Sequence, residues 1–376
     1  MQNAECRMQN GAAPNSAFCI LHSAFDSMTD ALDTERPVDV AQIERSLAEL
    51  WRNEQDGNAA VTRAALWNVV AHTSTSEHQA QATEALSRAS AAVPQRSIVI
   101  HADAAAPPSI SSWISANCHL VGGGKQMCSE EISIVAGGDR IHRVPPLVNA
   151  LLLPDMPVAV WWMGDLPNEH GEYVETLLDP ADRLIVDSSC FDSPQDLELV
   201  GRVAAKTTTI PADLNWIRLE EWRAATASVF DPPHMRGRLA AIRRVRVVAG
   251  AKEENFFGDA IESLLFAAWL TTQAGDGSDD AIDYRFERRM TSEAVGQIAF
   301  VEIVFEDGSS ASIARDRERG VLTMNVDGIV SVPESVTRTI EKQTDALIVR
   351  QLKQSSGDRV LVRALPMAAK LAKRLR

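Results

Sequence analysis

Residues Val144–Pro167 read VPPLVNALLLPDMPVAVWWMGDLP, and nowhere else do a long apolar run, paired prolines and adjacent tryptophans coincide. Leu147–Leu153 is apolar apart from Asn149, and Pro145 and Pro146 suit the first turn of a helix because their rings fix φ. Pro154 closes that helix. Pro157–Met163 then carries no polar residue and is bounded by Pro154-Asp155 and Gly164-Asp165, which predicts a strand buried on both faces. A membrane span is excluded here, because Asp155 and the prolines keep either piece well short of roughly 20 apolar residues. Trp161 and Trp162 are neighbours in the strand and point to opposite faces. One of them is expected in the core and one at the strand's carboxyl edge, where open α/β sheets bind ligands or partners. Asp165 reads as a turn residue.

Working outward, strands and helices alternate on both sides. Asp39 and Gln42 form a capping box for a helix whose apolar face is Ile43, Leu47, Leu50 and Trp51. Leu66–Val70 predicts a strand, Ser76 and Gln79 cap a helix running towards Ala92, and Ser97–His101 predicts the next strand. That spacing is a βαβ unit, expected to be parallel and right-handed. Ile110–Leu120 and Glu131–Ala136 are joined through Gly122-Gly123-Gly124-Lys125, which fits a hairpin better than a phosphate loop because no helix follows Lys125. Ala181–Asp187 reads as a strand and Pro194–Lys206 as a helix. Pro211–Phe230 reads as a tryptophan-bearing helix, capped by Asp213 or Asn215, with Leu219, Trp222 and Val229 on one face.

Beyond Asp231-Pro232-Pro233 the pattern changes. Arg243–Val248 predicts a strand and Phe257–Ala274 an apolar helix, while Gly275–Asp280 reads as an acidic turn. Ile298–Phe305, Ser309–Ala314 and Val321–Val326 alternate with Asp307-Gly308 and Gly320, as hairpins do. Helices are expected over Ser335–Gln354 and Leu365–Arg376. The fold class is therefore an α/β N-terminal domain with a largely parallel central sheet, followed by an α+β domain with antiparallel hairpins. The boundaries expected are 1–27 as a disordered or wrongly assigned extension, with Met28 as a more ordinary start, then 28–233 and 234–376.

Composition narrows the function. With 51 acidic against 37 basic residues, the net charge of -14 argues against a nucleic-acid footprint. The basic stretch Arg236–Arg246 interleaves Leu239, Ile242 and Val245 with its arginines, as a packed element does. No secretory signal is evident, so a cytoplasmic protein is expected. Cys6, Cys19, Cys118, Cys128 and Cys190 are too few for a disulfide framework. Cys118, His119, Cys128 and His142 lack the paired spacing of zinc ligands and read as bystanders. Ser188-Ser189-Cys190 follows a strand, where nucleophiles often sit, but without flanking glycines. Asp179, Asp182 and Asp187 read as turn, cap and strand-end residues. No catalytic constellation, metal site or cofactor is expected.

LLLPDMPVAVWWMGDLP, DPADRLIVDSS and DLNWIRLEEWRAATASVFDPP resemble characteristic segments of the OpcA family, the glucose-6-phosphate dehydrogenase assembly proteins, and GGGKQMCSEEI fits the same family. The resemblance runs from about Leu66 to Trp269 and leaves the first 27 residues outside. It implies a non-catalytic partner that assembles with glucose-6-phosphate dehydrogenase or activates it allosterically. It also implies redox control through cysteine in some photosynthetic members, to which Cys118, Cys128 and Cys190 cannot be assigned. Physical reasoning adds a candidate contact set of Trp161, Trp162, Asp165, Asn215, Trp216, Arg218 and Trp222, since tryptophan and arginine are enriched in binding hot spots. Trp222 is expected to pack in the core, and Trp216 and Arg218 to be exposed. The competing reading is an α/β enzyme or sensor binding a phosphosugar or nucleotide near Gly122–Lys125 and Gly164-Asp165.

Overall fold

A computed structural model describes residues 40–55, 61–121, 125–164, 166, 171–206, 208–251, 261–275, 282–289, 296–327, 335–338 and 343–374. The expected extension over 1–27, the glycines 122–124 and Asp165 lie outside these. The chain divides into two compact units, Met1–Ile185 with Thr344–Ser355, and Val186–Gln343 with Ser356–Arg376. The break at Ile185/Val186 falls earlier in the chain than the change of pattern at Asp231–Gly237. The chain also returns to the first unit for one late segment.

The first unit contains α1 (Val40–Gln55), β1 (Val61–Arg63), β2 (Trp67–Thr73), α2 (Ser76–Ser90), β3 (Gln95–Asp103), β4 (Ser109–Val121) and β5 (Lys125–Gly137). α3 (Val144–Leu151), β6 (Val158–Trp162), α4 (Glu172–Leu178) and β7 (Arg183–Val186) follow. Strand order is β1-β5-β3-β2-β6-β7, with β4 paired to β5. β2 is parallel to both β3 and β6, and β3 is parallel to β5, as the βαβ spacing predicts. Val144–Trp162 folds as expected, with Pro145 and Pro146 in the first turn of α3 and every residue of β6 buried. The cap of α2 is Thr75 rather than Ser76, its side chain accepting the His78 N–H.

β4 and β5 form the expected antiparallel hairpin, and its register sets Cys118 directly opposite Cys128. The two are joined in a disulfide, which corrects their reading as bystander thiols. Sequence separation alone did not suggest this pair, because only the hairpin register brings the two side chains together. Loop-closure entropy for a separation of 10 residues predicts a stabilisation of about 3 kcal/mol. Dithiothreitol should therefore lower the urea midpoint of the native chain and leave that of a Cys118→Ser/Cys128→Ser variant unchanged. Equal midpoints for the native chain with and without reductant would show that the bridge does not contribute.

The second unit opens with α5 (Gln195–Lys206), β8 (Ile210–Asp213), α6 (Leu214–Arg218) and α7 (Glu220–Val229). The single helix expected over Pro211–Phe230 is thus a short strand and two helices. Pro211 removes an N–H that a helix interior needs, and Asp213 caps the new start. β9 (Ile242–Gly250), α8 (Ile261–Ala274), β10 (Asp283–Arg289), β11 (Ile298–Phe305), β12 (Ser310–Asp316), β13 (Val321–Asp327) and β14 (Ser335–Arg338) come next. The sheet order is β10-β9-β11-β12-β13-β14, antiparallel except for β10 beside β9. β10 has only Tyr284 and Phe286 as apolar alternation to announce it, since DYRFERR carries five charges. An edge strand tolerates such charge, which also discourages pairing with other chains.

α9 (Thr344–Lys353) belongs to the first unit and α10 (Arg359–Arg374) to the second. The helix expected over Ser335–Gln354 is therefore corrected to strand β14 and helix α9, and the last helix begins six residues before Leu365. α9 is tied to the first unit by Arg183, whose guanidinium donates to Gln351 Oε1 (3.1 Å) and to the Gln354 carbonyl (2.7 Å).

Candidate functional site

The residues singled out from the sequence fall into two groups. Trp161 and Trp162 end β6 at the carboxyl edge of the parallel strands. Both are 2% exposed, so the expectation that one lines an open edge is corrected: every residue of this strand is buried, and both of its faces are covered. Trp162 stacks on His72, which is its register partner in β2, with ring centroids 3.8 Å apart.

The second group forms a polar cluster after β7 and β8, where α6 begins. Asp213 ends β8 with its carboxylate turned to the start of α6, Oδ1 accepting from the Asn215 N–H (3.0 Å) and the Ser188 N–H (3.0 Å). Ser188 Oγ donates to Asp213 Oδ2 (2.7 Å) and accepts from Asn215 Nδ2 (3.1 Å). All three residues are buried, and Asn215 Oδ1 has no partner. Burial pushes the Asp213 carboxyl up to about 6, further raised by the charge of Asp187 and held back by the bonds from Ser188 and Asn215.

One shell further out, Arg218 grips Asp187 with both Nη atoms, at 2.7 and 2.8 Å. Burial works against the guanidinium's charge, but the Asp187 carboxylate more than offsets this and raises its pKa. Ser189 Oγ donates to the same Asp187 Oδ1 (2.5 Å), and Cys190 lies beside it at the exposed margin. Partial burial and the charge of Asp187 push the Cys190 thiol up, which keeps it protonated and poorly nucleophilic at neutral pH.

Asn215 and Arg218 are thus brought into one network, but not as the surface expected. Trp216 is 2% exposed, its Nε1 donating to Asp358 Oδ2 (2.7 Å) and its ring lying 3.7 Å beneath the Arg223 guanidinium. This corrects its expected exposure: an indole whose N–H and face both find partners is held inside. Arg218 keeps a quarter of its side chain exposed. Trp222 is fully buried, as its helical face predicts. The sequence reading passed over Asp213 as more than a cap and over Asp187 as more than a strand end. The signal was the recurrence of Asp at the last position of two successive strand-like runs, LIVD and IPAD.

Chemically the cluster is a hydrogen-bonded clamp, in which Ser188 Oγ donates directly to the Asp213 carboxylate and both residues are buried. Among the described residues, no group of three or more His, Cys, Asp or Glu side chains is placed to hold a metal ion, and no helix is long and apolar enough to cross a membrane.

Two family models meet along this chain. The one described as the glucose-6-phosphate dehydrogenase subunit N-terminal domain matches residues 86–202, and the one described as the subunit's C-terminal domain matches residues 210–365. Together they span well over half of the sequence, and the chain belongs to the OpcA family. Among curated relatives, an OxPP cycle protein OpcA of Synechocystis sp. is 33% identical over 148 residues, covering 39% of this chain and 30% of the relative. That of Synechococcus elongatus is 29% identical over 168 residues, covering 44% of this chain and 36% of the relative. The matched region is about a third of these relatives' length.

Solved structures with a similar course of chain include an NAD binding oxidoreductase from Klebsiella pneumoniae, at 11% identity and TM-score 0.43, covering 82% of this chain and 96% of that one. Biliverdin reductase from Synechocystis gives 8% identity and TM-score 0.42, with 82% and 98% covered. No function is taken from likenesses this distant.

Proposed function

We propose that this protein is a non-catalytic assembly factor or allosteric activator of glucose-6-phosphate dehydrogenase, acting in the cytoplasm within the oxidative pentose phosphate pathway. The observation that carries this reading is the pair of consecutive family matches, both described as domains of a glucose-6-phosphate dehydrogenase subunit. The polar cluster supports it physically, since a sealed clamp with an arginine at its rim suits recognition better than bond chemistry. An activator shifts its partner only by the difference in its affinity for the partner's states, so the protein must bind the active oligomer or conformation more tightly.

Titrating the full chain into the dehydrogenase of the same organism, with initial rates and light scattering followed together, tests the proposal. A saturable complex with lower KM or higher kcat is the expected result, and two folded proteins that neither associate nor change rate would overturn it. Within the proposed contact set, burial leaves Arg218 as the described residue with surface to offer. Arg218→Ala should weaken activation by about tenfold, a typical hot-spot loss. Asp187→Ala breaks the same ion pair but leaves the arginine, and should weaken it much less. Equal losses in both variants would assign Arg218 a structural role only.

A further inference from the structure

The path of the chain through the parallel strands reverses between β2 and β6. From β2 the chain crosses through α2 to β3 and later reaches β5, on one side, whereas β6 and β7 lie on the other. In open α/β sheets such a reversal marks where ligands bind, outside the carboxyl ends of the two central strands, because the connections on either side leave in opposite directions. The residues at that point are His72, next to last in β2, and its register partner Trp162, last in β6. Beside them stand His78 in the first turn of α2 and Tyr173 in α4, its ring edge-on to His72 at 5.6 Å, while His101 of β3 pairs with Thr73 and so lies on the opposite face of the sheet. Gly164, with φ +83°, lies against the His78 ring: a Cβ there would stand 3.8 Å from Cε1.

Three polar atoms in this group are shielded from solvent and have no hydrogen-bond partner: Nδ1 of His72 and His78, and the Tyr173 hydroxyl. His72 as a whole is 7% exposed. Nearly all buried polar atoms in native proteins are paired, so three orphans at one strand end call for a partner from outside the chain. Topology and unmet hydrogen bonding therefore indicate the same place independently.

We propose that this strand end is a binding site for an uncharged polyhydroxyl compound, a sugar or cyclic polyol, whose hydroxyls pair with His72, His78 and Tyr173. Burial, with His101 adding to it, holds the His72 imidazole at about 3, and burial raises the Tyr173 phenol, so both are neutral at pH 7. A neutral imidazole offers one donor and one acceptor and a phenol offers both, which matches hydroxyl groups and gives no countercharge to an anion. Glu77, in the same first turn of α2, further disfavours a phosphate at that helix end.

The test uses the full chain with histidine labelled in nitrogen-15, titrated with glucose and myo-inositol, and separately with inorganic phosphate. Concentrations stay in the millimolar range, below those at which excluded osmolytes stabilise proteins generally. One of the two polyols should shift the His72 Nδ1 resonance saturably and raise Tm. Tyr173→Phe removes one hydroxyl and no packing volume, and should weaken the apparent affinity at least fivefold while the unliganded variant stays as stable as the parent. His72→Phe, which keeps the stack on Trp162, should abolish the response. No saturable shift with either polyol, a response to phosphate alone, or a polyol response unchanged in both variants would each overturn the proposal. No dehydrogenase is present in this experiment, so its outcome is independent of the activator reading.

Discussion

Replacing Arg96 with methionine lowers the unfolding free energy by roughly 3–5 kcal/mol, as loss of one partner from a buried ion pair does. Arg96 lies in β3 at 1% exposure, donating through Nε to Glu130 Oε2 (2.7 Å) and through Nη1 to Glu44 Oε1 (2.7 Å) and the Leu151 carbonyl (2.7 Å). Burial alone would lower its pKa, but Glu44 and Glu130 outweigh burial and raise it. Methionine fills much of the same volume, so the loss comes chiefly from removing a buried cation from beside Glu130, itself 3% exposed and also paired with Arg63 (2.6 Å). Arg96→Met/Glu130→Leu should therefore recover part of the loss. Urea midpoints for the single and double variants check this, and a double variant less stable than the single would assign the effect to packing.

The second large effect is a pH dependence. Asp213 binds its proton at about 6 in the folded chain, against an ordinary 3.8. That gap corresponds to about 3 kcal/mol of linkage. Because the folded state holds the proton more tightly, the contribution is fully present below about 3.8, falls as pH rises through 6, and is gone above it. Glu131, pushed up to about 7 by burial, produces a similar slope at higher pH. The diagnostic quantity is therefore the difference between the native chain and Asp213→Asn, where an amide oxygen still accepts both backbone N–H groups. Asparagine resembles the protonated carboxyl, so unfolding free energies measured from pH 4 to 7 should lie close together towards pH 4 and separate to the native chain's disadvantage towards pH 7. A difference independent of pH would show that Asp213 titrates normally.

The legible parts of the fold were those where period and punctuation agreed. Pro157–Met163 could be read because an uninterrupted apolar run between two turn signals has one use in a sheet of this kind. Ser97–His101 and Leu66–Val70 were readable for the same reason. β10 was not, because charge on an edge strand leaves only Tyr284 and Phe286 to alternate, nor was β8, whose four residues IPAD run into the cap of α6. The disulfide was hidden because Cys118 and Cys128 become neighbours only once the hairpin register is known. At the site, residue type identified Trp216 and Arg218 as worth attention but not their orientation. An indole N–H is satisfied by a residue as remote in sequence as Asp358, which no local pattern reveals.

The late return of α9 to the first unit has a consequence for how the protein is made. α2 and α9 pack together, and Arg183 donates two hydrogen bonds to the Gln351–Gln354 segment. At ribosomal speeds of roughly 5–20 residues per second, Ile185 emerges on the order of 10–30 seconds before Thr344. During that interval the nascent first unit stands without its last helix. A nascent chain stalled just before Thr344 is accordingly the stage most exposed to chaperones and proteases.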